Sequence, residues 1–205
     1  MDKINFLKQY KDLYSPPSKE VVEVEVPSFN FFMIDGSGNP NTSKEYQEAI
    51  ETLYSVSYTL KFMVKKGKQA IDYGVLPLEG LWWADDMSAF LAGDKDRWKW
   101  TAMIMQPQEI VTDTIAEEAL ELSKKKNPPA LSKLRFEKFE EGLAVQIMHF
   151  GPYAEEGPTI KRMHDFIKEN GYIPVGKHHE IYLGDPRRSA PEKLKTVIRQ
   201  PVNKR

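Results

Sequence analysis

Glu180 sits in the run Pro174-Val-Gly-Lys-His-His-Glu-Ile-Tyr-Leu-Gly-Asp-Pro186, a carboxylate inside a strand-like segment. A strand turns successive side chains to opposite faces, so His178, Glu180 and Tyr182 share one face and His179, Ile181 and Leu183 the other. Either Glu180 faces water, as a surface ion pair with Lys177 or an arginine would have it, or it lines a cavity beside aromatic rings. A carboxylate among rings has two uses. Ionised, it attracts a delocalised cation while the rings add cation–π contacts of ~0.5–2 kcal/mol each. Burial of such a group favours its neutral form and raises its pKa, which suits a general base working near neutral pH. Glu180 is the candidate water-activating base, with Tyr153 or Tyr182 as a hydrogen-bond donor to charge developing on the substrate. Trp82, Trp83, Trp98 and Trp100 offer a stacking wall, of which strand alternation lets only some face one cavity; His178 and Tyr182 complete the set.

Other chemistries find little support. His178 and His179 are adjacent and so face opposite ways on a strand, His149 and His164 lie elsewhere, and there is no His-Glu-x-x-His, so no metal is expected. Cysteine is absent and there is no Gly-x-Ser-x-Gly, which excludes thiolate catalysis, disulfides and the common serine elbow. Gly36-Ser-Gly-Asn-Pro40 lacks the lysine and third glycine of a phosphate loop. Lys124-Lys125-Lys126 and Arg187-Arg188 read as solvated faces. No cofactor is expected.

These side chains need a scaffold. Residues 1–20 read as a short amphipathic leader packed on the surface and closed by Ser15-Pro16-Pro17-Ser18. Val21 to Asp35 reads as strand. Thr42-Ser-Lys-Glu45 matches a capping box, and Tyr46, Ala49, Ile50, Leu53, Ser57, Leu60 and Val64 then recur at helical spacing up to Lys65-Lys66-Gly67. Strands are expected over 72–83 and 97–106, with loops at Asp85-Asp86 and Gly93-Asp94, and a helix over about 112–126. A second pass follows: strand segments within 134–153 turned at Glu141-Gly142, a helix from Pro158 to Gly171, a strand over 178–183, a loop at Gly184 to Arg188, and a strand over 194–200. Each pass ends on Gln-Pro, at Gln106-Pro107 and Gln200-Pro201, and Glu79 precedes a tryptophan pair as Glu180 precedes Tyr182. The pattern is that of an α+β fold made of two tandem β-α-β-β units, about 21–107 and 130–202, with antiparallel sheets around a central ligand cleft.

Composition bounds the partners. The net charge of −1 supplies no bulk attraction to nucleic acid or to an anionic membrane, and no apolar run is long enough to span a bilayer. The first residues are too polar for a signal peptide, so a cytoplasmic home is the default. A small-molecule partner is therefore expected, with no nucleic acid and no membrane; the sequence does not speak to oligomeric state.

His178-His-Glu-Ile-Tyr-Leu-Gly-Asp-Pro186, Lys195-Thr-Val-Ile-Arg-Gln-Pro201 and His149-Phe-Gly-Pro-Tyr153 resemble the GyrI-like (gyrase-inhibitor-like) small-molecule-binding domain. Tyr73-Gly-Val-Leu-Pro-Leu-Glu-Gly-Leu-Trp-Trp83 and Trp98-Lys-Trp-Thr101 are similar to its stand-alone bacterial branch, and the resemblance runs from about residue 20 to 202. It implies a tandem β-α-β-β fold, with Glu180 matching a buried glutamate that, with surrounding aromatics, binds lipophilic cations in the effector domains of multidrug sensors. It also implies kinship with members that hydrolyse electrophilic cyclopropane-bearing toxins. The roughly 20 residues ahead of the domain are too few for a helix-turn-helix. Two readings follow: a detoxifying hydrolase of cyclopropane-type electrophiles, and a non-catalytic sensor or scavenger of lipophilic compounds. Binding to a protein such as gyrase is a third, disfavoured by the near-neutral charge.

Overall fold

The structure is a computed structural model and describes residues 3–85, 93–185 and 188–205. Asp86 of the Asp85-Asp86 loop, and Pro186 and Arg187 of the loop after Gly184, lie outside the described residues. The chain is α+β, mixing helices with antiparallel strands. Its helices are α1 (Phe6–Gln9), α2 (Lys11–Tyr14), α3 (Lys44–Lys66), α4 (Asp113–Ser123) and α5 (Gly157–Glu169). Its strands are β1 (Val22–Val26), β2 (Phe29–Ser37), β3 (Leu78–Trp83), β4 (Lys99–Gln106), β5 (Arg135–Phe139), β6 (Gly142–Phe150), β7 (Tyr172–Pro174), β8 (His178–Tyr182) and β9 (Lys195–Lys204). They form two compact units: Met1–Gln9 with Phe29–Leu78 and Trp83–Phe139, and Tyr10–Ser28 with Glu79–Trp82 and Glu140–Arg205.

In the first unit β2 lies between β4 and β5, antiparallel to both. Phe29 through Ile34 are all buried, the polar Asn30 included, so both faces of β2 are covered there. Helix α3 buries Tyr46, Ala49, Leu53, Val56, Leu60 and Val64 along one stripe. Its cap is Ser43, which accepts from the Tyr46 N–H at 3.2 Å, one residue beyond the expected Thr42. Lys65 and Lys66 occupy its last turn, where the helix dipole favours cations. Trp100 is fully enclosed, edge-on to Tyr46 at 4.9 Å, and lies across Gly36, its cross-strand partner.

In the second unit the strands run in the order β1-β6-β9-β8-β3, with β7 pairing β9. The β6–β9–β8 register is fixed by Gln146↔Arg199↔His179 on one face and Ile147↔Ile198↔Glu180 on the other. Helix α5 lays Met163 and Ile167 on Val145, Ile147, Ile198 and Val202. The sheet and helix therefore present Glu180 on the helix side of the strands and His179 on the far side.

The structure revises several expectations. The strand read over 21–35 is two strands, because Pro27 lacks an N–H and interrupts the ladder. Only Leu78–Trp83 of 72–83 is regular strand; Asp72 instead accepts from Lys65 at 2.7 Å, and Tyr73 makes a single parallel bridge to Ile4. The last strand runs on to Lys204 because β7 gives its end a partner. The leader goes deeper than its polar composition suggests, with Leu13 and Tyr14 buried.

The Gly36–Trp100 contact yields a test. A Cβ at Gly36 would stand 2.3 Å from the indole, so Gly36→Ala is expected to cost ~1–3 kcal/mol by overpacking. Gly157→Ala, with open space at its Cβ, is expected to stay within ~0.5 kcal/mol. Urea unfolding midpoints compare the two; equal midpoints would contradict the packing described.

Candidate functional site

The second unit assembles a polar–aromatic group on one face of β8. Glu180 is held at both oxygens: Tyr182 donates its hydroxyl to Oε2 at 2.7 Å, and His178 Nε2 lies 3.1 Å from Oε1. To an ionised Glu180, which can only accept, His178 would donate from Nε2. Trp82 Nε1 donates in turn to the Tyr182 oxygen at 3.0 Å, giving a chain Trp82 → Tyr182 → Glu180. The indole reaches Tyr182 because Gly80, two residues earlier on β3, has no side chain; a Cβ there would stand 2.7 Å from Nε1. Tyr153 meets the Tyr182 ring edge-on at 5.3 Å and is itself exposed. The Glu180 side chain is 13% exposed, neither sealed in the core nor open on the surface.

The opposite face of β8 carries a buried ionic row. His179 Nε2 lies 3.0 Å from Glu79 Oε2, and Nδ1 lies 3.0 Å from both Glu141 oxygens. Glu141 also accepts from Arg199 Nη1 at 3.0 Å, and Glu79 from the Tyr14 hydroxyl at 2.9 Å. Arg199 completes its fork on Gln146 Oε1 and the Leu13 carbonyl. Burial alone would depress the His179 pKa, but the Glu141 charge and the hydrogen bonds His179 donates to both carboxylates outweigh it and raise it to about 9. Burial likewise pushes Glu141 up, and the charges of His179 and Arg199 override it, leaving a value of about 2. Burial, then the charge of Glu79, raises Tyr14 well above its ordinary value, so it remains a donor. Two carboxylates thus face an imidazolium and a guanidinium, and the row is close to neutral as a whole.

Of the residues singled out from sequence, Glu180, Tyr182, His178, Trp82 and Tyr153 come together here. Trp83, Trp98 and Trp100 belong to the first unit. There Trp98 carries the Lys95 ammonium 5.4 Å above its ring, and Trp100 is core. Sequence reasoning set Glu79 beside Glu180 as its counterpart and read Glu141 as a turn residue; both instead clamp His179. Alternation did place His179 on the far face, but nothing local points to partners 38 and 100 residues away. Among the described residues no group of three His, Asp or Glu is placed to hold a metal ion, and no helix is long and apolar enough to cross a membrane.

A family model described as the GyrI-like small molecule binding domain matches residues 19–203. An uncharacterized conserved protein of Listeria innocua is 41% identical, with a TM-score of 0.88 over 98% of this chain and 100% of that one. A hydrolase from Listeria innocua is 40% identical, with a TM-score of 0.83 over the same shares of the two chains. The EcmrR C-terminal domain, 13% identical with a TM-score of 0.56 over 91% of this chain and 98% of that one, shares the fold. No curated protein matches the chain.

The ionic row predicts a pH profile. His179, raised from 6.5 to about 9, contributes fully below about 6.5 and loses its contribution as pH rises through about 9. Glu141, lowered from 4.5 to about 2, contributes above about 4.5 and loses it as pH falls through about 2. Melting temperature should therefore be highest between about pH 4.5 and 6.5 and fall towards pH 9. His179→Gln should lower stability by ~3–5 kcal/mol at pH 6 and flatten the alkaline fall. An alkaline limb identical in wild type and variant would show that His179 is not its source.

Proposed function

The chain belongs to the GyrI-like small-molecule-binding domain family, and from that premise we propose that it takes up lipophilic aromatic molecules, cationic ones included, beside Glu180 and hydrolyses electrophilic members of that class. The observation that carries the proposal is the Glu180 carboxylate, 13% exposed, fixed by Tyr182 and His178, with Trp82 and Tyr153 both packed on the Tyr182 side chain. Kinship at 40% identity to a protein described as a hydrolase supports the catalytic part.

The reaction we propose is ring opening of a cyclopropane conjugated to a carbonyl. Glu180 takes one proton from water as the water oxygen bonds to the ring carbon. The ring C–C bond breaks, and its electron pair moves through the conjugated system to the carbonyl oxygen. That oxygen gains a hydrogen bond and finally the proton, so substrate plus water equals the hydroxyalkyl product. Tyr182 gives its O–H to Glu180, and Tyr153, exposed beside it, is the hydroxyl we assign as donor to the carbonyl. In the same reading β2-α3-β3-β4 and β6-α5-β8-β9 are two copies of one β-α-β-β unit, about 21–107 and 130–202, with β1, β5 and β7 as additions to them; the element order is consistent with this.

A second reading is a non-catalytic sensor or scavenger. It is favoured by the donors on both Glu180 oxygens, an arrangement suited to a fixed counter-charge for a lipophilic cation.

Glu180→Gln separates them. With a spirocyclopropyl cyclohexadienone as substrate, turnover is expected to drop ~10²–10⁴-fold, the usual contribution of a general base. Tyr153→Phe is expected to lower it ~10²-fold. Unchanged turnover in Glu180→Gln would remove the catalytic assignment. Wild-type protein that consumes no dienone, yet binds rhodamine 6G in a Glu180-dependent way, would establish the second reading.

A further inference from the structure

Helix α3 carries an aromatic ladder on its outer side. Tyr54, Tyr58 and Phe62 follow one another at intervals of four residues, with ring centroids 6.4 and 6.3 Å apart and planes inclined by 29° and 27°. Tyr58 and Phe62 are each 45% exposed, an unusual amount of ring to leave beside water on a helix whose other side is core. At 100° per residue, Gln47, Glu51, Tyr54, Tyr58, Phe62 and Lys65 fall within one stripe roughly 80° wide. Along the stripe the exposed Glu51 precedes the rings and the exposed Lys65 follows them, while Lys44 at the helix start is paired with Glu48. Lys61 and Lys66 add positive charge at the Phe62 end, their ammonium groups 4.9 and 5.9 Å from its ring.

This order of charge is self-complementary. If two copies of α3 pack antiparallel about a two-fold axis at Tyr58, Tyr54 meets the partner's Phe62, and Glu51 meets the partner's Lys65. A two-fold interface demands this property, since the same patch must serve both sides. Lys65 already serves Asp72 at 2.7 Å, and its ammonium has further donors for a second carboxylate. We propose that the α3 face is a homodimer interface, closed by the Tyr54–Tyr58–Phe62 ladder and two symmetric Glu51–Lys65 pairs.

The test is sedimentation velocity from micromolar to submillimolar protein. Wild type is expected to pass from monomer to dimer. Glu51→Lys and Lys65→Glu, each placing like charges opposite one another twice, should each weaken dimerisation by at least ~10-fold. The doubly exchanged Glu51→Lys/Lys65→Glu protein should recover it. So should an equimolar mixture of the two single variants, in which every facing pair is again opposite in sign. Circular dichroism confirms that each variant is folded, and Tyr58→Ser provides a loss of dimer with no change of charge. Wild type that stays monomeric throughout would overturn the proposal. So would a double exchange as weak as the singles, or binding of monomeric wild type to phosphatidylserine vesicles or polyglutamate through this face.

Discussion

A protonated imidazole between two buried carboxylates holds strand β8 in place, and the candidate site depends on that strand. His179, Glu79 and Glu141 are all but sealed from solvent. Taking such charges out of water costs several kcal/mol per ion, and their attraction offsets this only when the remaining donors and acceptors are also filled. Here Tyr14, Arg199, Gln146 and the Leu13 carbonyl fill them. The row need not exceed a hydrophobic substitute in stability. What it adds is direction: an imidazolium with a carboxylate at each nitrogen has one well-defined place on its strand.

The functional face follows from the other side of the same strand. With His179 fixed on one face, the two-residue period sends His178, Glu180 and Tyr182 to the opposite one. The pairing of Glu180 with Ile198, and of Ile198 with Ile147, seats the carboxylate at the margin of the apolar layer under α5. Gly80 lets the Trp82 indole lie across its strand and reach Tyr182. A slip of one residue in β8 would bring Glu180 into the ionic row and His179 out of it, so the buried charges and the outward carboxylate enforce one register.

The alternation of residues 178–183, the apolar stripe of α3 and the Pro-started helix near 158 were readable because each is a short-range pattern with a single period. The Glu180–Tyr182 and Glu180–His178 contacts belong to that class, being i, i±2 pairs on one strand. The Trp82–Tyr182 bond and the clamps on His179 join residues 38 to 100 apart in sequence or wait on a glycine's missing Cβ, and no local pattern encodes them. The split of the first strand at Pro27 was legible in principle, since proline cannot continue a ladder, but the apolar run on both sides concealed it. Among the four tryptophans, composition announced aromatic surface and could not separate Trp100, enclosed over Gly36, from Trp82 beside Glu180.

The most direct examination of the account is a crystal structure of the protein soaked with rhodamine 6G. The account predicts the xanthylium ring against Trp82 or Tyr153, with the cationic system facing the Glu180 carboxylate. Density for the dye only at places remote from Glu180, with the Trp82–Tyr182–Glu180 chain undisturbed, would contradict it.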